Sequence, residues 1–216
     1  MTTSADGSKE VFINCPYDLE YACILDAICF AVQACGFIPR CAQEFTDSSN
    51  ARMENIFGLI ERCQLAVHDL SRVELSPTNE LPRFNMPFEL GVFMGAKRFG
   101  DEHHRRKSCV ILESNEHRYQ SFLSDIAGYD IQIHHGDFAH AIACVRHYLR
   151  GAVAAPSEFV MPSSTELTLR YSQYLQELAY ISNRLKEEPS KLHFLDRRQL
   201  IYVWLREEQS RASSRN

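Results

Sequence analysis

The chain has no apolar run approaching the ~18 residues that a membrane-spanning helix needs, which predicts no membrane anchor. It has no basic excess. The formal net charge is −5, which argues against a general nucleic-acid binder, because such proteins carry a basic stripe. The polar start Met1–Gly7 lacks the apolar core of an export signal, so the reading is a cytoplasmic protein. No C-x-x-C pair occurs among the 8 cysteines, and Cys23, Cys29, Cys35 and Cys41 recur at a spacing that scatters them around a helix. Disulfide and zinc frameworks therefore fit poorly, and reduced, buried or half-buried thiols are expected. The His103-His104 and His134-His135 pairs are adjacent in sequence, so their rings diverge on a strand, and no H-E-x-x-H is present; no metal is expected. Neither a G-x-G-x-x-G nor a P-loop offers a phosphate cradle, and no G-x-S-x-G elbow offers a serine nucleophile.

What is present is an alternation of short apolar runs and amphipathic stretches. Val11–Asn14, Phe37–Pro39, Leu65–Asp69, Cys109–Leu112 and Ile131–Ile133 read as strands. Pro39 marks an edge or a strand end, and Gly36 the stop of a helix running from Tyr21 to Cys35. Ser48, Ser49 or Asn50 is available to cap a helix carrying Met53, Ile56, Phe57 and Ile60. A helix that carries Glu89 and runs to about Lys97, and another from about Phe138 to Leu149, complete the alternation, with Asp101–Lys107 as a solvated charged loop. Strands alternating with helices call for a parallel sheet covered on both faces. The expected fold is an α/β, flavodoxin-like three-layer sandwich with five parallel strands over residues 10–150. Residues 151–164, rich in proline and small residues, read as a linker. Residues 165–208 read as a helical hairpin with a partial heptad of apolar positions at 167, 171, 174, 178, 181 and 185. That hairpin is too small for a core of its own, so it must pack on the α/β domain, on a second copy or on a partner.

In open α/β sheets, ligands sit beyond the carboxyl ends of the strands, and several candidates fall there. Asn85-Met86-Pro87-Phe88-Glu89-Leu90-Gly91 puts Glu89 in the first turn of a helix if Pro87 takes the first helical position. The helix N-terminus would favour its ionised form, suited to holding ribose hydroxyls and a developing oxocarbenium ion. A plain capping role for the same glutamate is equally consistent with position alone. Asp69 could bind a substrate hydroxyl or cap a turn; Tyr17 could stack on a ring or plug a turn. Arg40 and Arg83 could meet a phosphate or simply be surface residues. The long connection from Leu70 to Arg83 is of a length usually functional or mobile.

Taken in order, these stretches resemble a known group. Val11–Asp18, Gly36–Arg40, Cys63–Ser71 and Asn85–Gly91 are similar to the boxes of Toll/interleukin-1 receptor (TIR) domains. The Asp69-Leu70-Ser71 … Asn85-x-x-x-Glu89-Leu90-Gly91 layout also resembles nucleoside 2-deoxyribosyltransferase-like N-glycosidases. The run Asn85–Phe88 and the long preceding loop depart from the usual TIR pattern. The resemblance implies an enzyme that takes NAD+ as substrate, without a cofactor, and releases nicotinamide. Glu89 would be catalytic, with Asn14, Cys15, Tyr17, Arg40, Asp69, Arg83, Asn85 and Phe88 as substrate contacts. It further implies antiphage defence or nucleotide signalling, a homo-oligomer formed through the TIR-like domain or the tail helices, and a separate sensor or effector protein. An N-glycosidase on (deoxy)nucleosides or nucleotides, and a non-catalytic nucleotide-sensing or TIR–TIR interaction module, are the alternatives.

Overall fold

Strand β1 (Glu10–Asn14) alternates its side chains between two hydrophobic layers: Val11 and Ile13 enter one core, Phe12 the other. Such two-sided burial is what a central parallel strand requires. The computed structural model describes residues 9–73, 83–152, 160–186, 188 and 191–213. The sequence readings of residues 74–82 and 153–159, the middle parts of the long connection and of the linker, lie outside them.

After β1 come α1 (Ala22–Ala34), β2 (Ile38–Arg40), α2 (Arg52–Arg62) and β3 (Leu65–Asp69). They are followed by α3 (Asn85–Phe99), α4 (Glu102–Arg105), β4 (Ser108–Glu113), β5 (Gln132–Ile133) and α5 (Phe138–Ala152). All strand pairs are parallel, in the order β2-β1-β3-β4-β5. This is the flavodoxin-like order, whose direction of winding reverses between β1 and β3. Helices α1 and α5 cover one face, α2 and α3 the other. The sequence expectation of an α/β three-layer fold holds. Pro39 lies in the edge strand, where a missing N–H costs no ladder bond. Gly36 sits just past α1 at φ 85°, a left-handed turn that glycine adopts without strain, and it ends the helix.

Helices α6 (Ser164–Leu185) and α7 (Phe194–Ser213) pack onto this domain. Tyr171, Tyr174 and Trp204 surround Phe30 of α1, with ring centroids 5.2, 5.8 and 5.9 Å away. Arg197 of α7 reaches Asp26 of α1 at 2.5 Å, and the Tyr171 hydroxyl donates to the Cys23 carbonyl. Of the three places open to the hairpin, its own α/β domain is the one it occupies here.

Several local expectations are corrected. Ala51, not Ser48, Ser49 or Asn50, is at the N-cap of α2, and no side chain caps that helix. Asp101–Lys107 is not all solvated loop. Asp101 accepts from the His104 N–H and starts the one-turn α4. Lys107 is buried because its ammonium donates to the carbonyls of Ile60 and Cys63 at the end of α2. The 8 cysteines are free thiols, as read, but Cys23 is exposed rather than buried, on the α1 surface. No helix among the described residues is long and apolar enough to cross a membrane.

Candidate functional site

The switch point between β1 and β3 opens into a cleft of about 400 Å³. Its walls are the β1–α1 loop (Asn14 to Asp18), the start of α3 (Arg83, Asn85, Met86 and Glu89) and Arg52 at the start of α2. A larger groove of about 950 Å³ lies at the far end of α3, against the beginning of β4. Its cations Lys97 and Arg98 stand in the last turn of α3, where they complement the helix dipole, and it is away from the carboxyl ends of the strands. Ligand chemistry is therefore better placed in the smaller cleft.

Helix α3 starts earlier than the sequence suggests. Phe84 occupies the N-cap and Asn85 the first helical position, which puts Pro87 third and Glu89 a turn inside. The consequence is a correction for Glu89. The pull of a helix N-terminus fades beyond the first turn. Glu89 is 6% exposed, and burial pushes its carboxyl up to about 7, partly opposed by the Arg52 guanidinium. The expected bias towards ionisation is thus outweighed by desolvation. Among the described residues, nothing donates a hydrogen bond to this carboxyl group. The side chain is largely buried, but its carboxyl oxygens open on the cleft, where a ligand hydroxyl could meet them.

Asn14 holds the cleft floor together. Its amide nitrogen donates to the Met86 carbonyl at 2.9 Å and faces His68 Nδ1 at 2.9 Å, tying β1 to β3 and to the first turn of α3. A carbonyl and an imidazole lone pair both accept, so His68 carries its hydrogen on Nε2, which is buried and unpaired. Burial between Phe12 and Phe93 lowers the His68 ring to about 3 and keeps it neutral. Cys15 is 1% exposed, and burial raises its thiol well above the ordinary range, so it is an inert wall rather than a nucleophile. The Tyr17 ring lines the cleft, with the Arg52 guanidinium 5.9 Å from its centroid. Arg83 is held by Asp18 at 2.7 Å, and Arg72 approaches the same carboxylate at 3.6 Å.

Three other sequence candidates stand outside the cleft walls. Arg40 lies in β2 and is engaged by Glu10 and Glu44. Phe88 is 56% exposed on α3 and does not line the cleft. Asp69 is fully buried in a network. Its carboxylate accepts from the Tyr21 hydroxyl at 2.5 Å and the Ser71 N–H at 2.8 Å, and lies 3.1 Å from His134 Nε2. The Gly136 N–H donates to His134 Nδ1 from a left-handed turn at φ 68°, which leaves the ring hydrogen on Nε2, facing Asp69 and Ser71. Burial alone would raise the Asp69 carboxyl; the bonds from His134, Ser71 and Tyr21 outweigh it and hold it below its ordinary value.

Arg52 is the cleft residue that sequence reasoning passed over. It opens the helix after β2, and so stands on the carboxyl side of the sheet by the same rule that singled out Glu89. Among the described residues no three His, Cys, Asp or Glu side chains group closely enough to hold a metal. Comparison with family models, curated proteins and solved structures returned no match. What the fold and the cleft define is a doubly wound α/β protein with a largely buried glutamate at its switch point that has no hydrogen-bond donor among the described residues.

Proposed function

We propose that this chain is a TIR-like N-glycosidase that cleaves the nicotinamide–ribose bond of NAD+. The observation that carries this reading is Glu89: nine-tenths buried, without a hydrogen-bond donor among the described residues, and lining a cleft at the switch point. The ordered likeness to TIR boxes supplies the substrate. In its ionised form Glu89 would accept hydrogen bonds from the nicotinamide riboside hydroxyls and face the positive charge that grows on C1′ and the ring oxygen. Nicotinamide leaves with the electron pair of the C1′–N bond and becomes neutral. Water then attacks C1′ and gives up a proton to yield ADP-ribose. Capture by an adenine nitrogen instead would close a cyclic isomer. The low polarity that raises the glutamate also strengthens its interaction with a nearby cation.

The biological role consistent with this chemistry is antiphage defence, by NAD+ depletion or by a nucleotide signal. Homo-oligomerisation and a separate sensor or effector protein belong to the same proposal. The test is mass spectrometry of nicotinamide and ADP-ribose-type products from the full chain at high protein concentration with NAD+, for wild type and Glu89→Gln. Glu89-dependent nicotinamide release is expected. Free base released from deoxynucleosides but no nicotinamide from NAD+ would replace the substrate with that of the deoxyribosyltransferase-like enzymes. Ligand binding without turnover, indifferent to Glu89→Gln, would make the chain a nucleotide-sensing module.

A further inference from the structure

One edge of the sheet is only half closed. Strand β5 is 2 residues long and pairs with β4 at Leu112 and Glu113. No strand among the described residues lies against the outer side of β4 from Ser108 to Ile111. In a parallel ladder, alternate residues turn their N–H and C=O to opposite sides. The Ser108 N–H donates to the Gln64 carbonyl and the Leu112 carbonyl accepts from Leu70, so Ser108, Val110 and Leu112 bond towards β3. Cys109 therefore turns both of its backbone groups outward, and Ile111 its N–H. The whole stretch from Ser108 to Ile111 lines the groove of about 950 Å³ between the ends of α3 and α5. Lys97, Arg98 and Arg105 stand exposed around that groove, and none has a carboxylate within ion-pair distance among the described residues. Burial pushes the Cys109 thiol up to about 11 against the pull of the Lys97 ammonium, which places that charge beside the open stretch of β4. Against these cations the groove lining carries one carboxylate, Asp130, in a chain whose formal net charge is −5.

We infer that this groove docks an extended, acidic segment of another protein, which adds as a strand to the open edge of β4 and lays its carboxylates against Lys97, Arg98 and Arg105. Main-chain bonds to Cys109 and Ile111 supply affinity for an extended backbone, and the cations select the acidic one. Helices α3 and α5 cover opposite faces of the sheet, so the space between them continues the plane in which β5 lies. The charges also decide against a second copy of this chain docked edge to edge. Such a pair would bring the same cations together, and like charges beside an open edge prevent that pairing. The groove is at the opposite end of α3 from Glu89, so the inference stands whatever the cleft acts on.

The experiment titrates the full chain with a labelled synthetic peptide that alternates valine and glutamate, read by fluorescence anisotropy and by amide hydrogen exchange. One control peptide has lysine in place of glutamate. A second keeps the glutamates but is N-methylated at alternate residues, so that it retains its charge and cannot pair as a strand. The acidic peptide should bind with a Kd below about 1 mM and at least about tenfold tighter than either control. Lys97→Glu and Arg98→Glu should each weaken it by about tenfold, and added salt should weaken it in the wild type. At saturation, exchange of the Cys109 and Ile111 amides should slow by at least about tenfold, while that of Val110, already turned towards β3, changes little. Exchange in β1 and β3 without peptide shows whether each variant is folded, and the N-methylated peptide tests strand addition on the wild type alone. No binding of the acidic peptide, equal binding of either control, indifference to both charge reversals, or protection that falls outside Ser108–Ile111 overturns the inference. Protection of Cys109 and Ile111 that grows with protein concentration in the absence of peptide overturns it too, because a second copy would then cover the edge.

Discussion

Asp69 and Glu89 are both buried carboxyl groups on the carboxyl side of one sheet, and their environments are opposite. Asp69 receives a tyrosine hydroxyl, a backbone N–H and a histidine N–H, and its acidity is increased despite full burial. Glu89 receives nothing from the described chain, and burial makes it a much weaker acid. A carboxylate whose lone pairs are taken up internally holds its surroundings in place. One that is desolvated and left open has yet to meet its partner, and buried groups of that kind concentrate at functional sites. By this criterion we propose Asp69 as a structural group and Glu89 as the functional one, though sequence alone places both at strand or helix ends facing the same crevice.

The largest expected effect separates them by stability. Asp69→Ala leaves the Tyr21 hydroxyl and the Ser71 N–H without their acceptor in a dry interior, and leaves His134 Nε2 only the Ser71 hydroxyl. Removing one member of such a network should cost about 3–5 kcal/mol. In a chain of this size each kcal/mol lowers the melting temperature by roughly 2–4 °C, so a fall of about 10 °C is expected. A loss below about 1 kcal/mol by denaturant unfolding would end the contrast.

Glu89→Gln should act on the other side of the comparison. If the carboxylate faces the oxocarbenium ion, turnover falls by about 10²–10³, the cost of removing one electrostatic group from an active site. Stability should move the opposite way. The folded carboxyl titrates near 7 against an ordinary value of 4.5, so the folded protein holds the proton more tightly than the unfolded chain. The ionised glutamate therefore costs folding free energy above about pH 7, and the cost disappears below about 4.5. Glutamine should stabilise the protein by about 1–3 kcal/mol at pH 8 and by almost nothing at pH 4.5. If the proposed reaction uses the ionised form, wild-type turnover should rise with pH through about 7. A flat profile from pH 5 to 9 would contradict the role given to Glu89.

The fold was largely legible because its signals are local. Five apolar runs, the stop at Gly36 and the edge proline Pro39 each follow from backbone chemistry and period. The site was legible to the extent that it obeys the switch-point rule, which places Asn14, Cys15, Tyr17, Arg83, Asn85 and Glu89 along one cleft. What sequence could not supply was partnership between distant segments. Arg40 meets Glu10 and Glu44 and is taken out of the cleft, and Asp69 meets His134 from beyond β5. The start of α3 was misplaced by assigning Pro87 to the first position, and with it the electrostatic bias of Glu89. Lys107 looked solvated because nothing in its own neighbourhood announces that the carbonyls of α2 lie above it.

Asn14 sharpens the comparison at intermediate size, since it links β1 and β3 to the first turn of α3, the helix that carries Glu89. Asn14→Ala removes the donor to the Met86 carbonyl and to His68 Nδ1 and leaves both buried acceptors bare. A loss of about 1–3 kcal/mol is expected. Because the first turn of α3 loses its anchor to β1, ligand affinity should drop as well. Asn14→Asp should not restore the link to α3, since a carboxylate cannot donate to the Met86 carbonyl. Affinity unchanged in a destabilised Asn14→Ala would show that α3 keeps Glu89 in place without this bond.

The smallest effect belongs to Arg40, which could meet a phosphate by sequence position and which its own ion pairs hold outside the cleft walls. Arg40 is bracketed by Glu10 and Glu44, each of which has a second cation nearby: Arg62 at 2.7 Å from Glu10 and Arg198 at 3.3 Å from Glu44. Arg40→Ala therefore leaves neither carboxylate alone, and for a partly exposed ion-pair network the loss should stay at about 1 kcal/mol or less. Nicotinamide release from NAD+ should be unchanged, whereas Glu89→Gln should lose it. A drop in turnover for Arg40→Ala at unchanged stability would mean that the cleft draws on the general positive field of this end of the sheet, and that the ion pairs with Glu10 and Glu44 do not take Arg40 out of play.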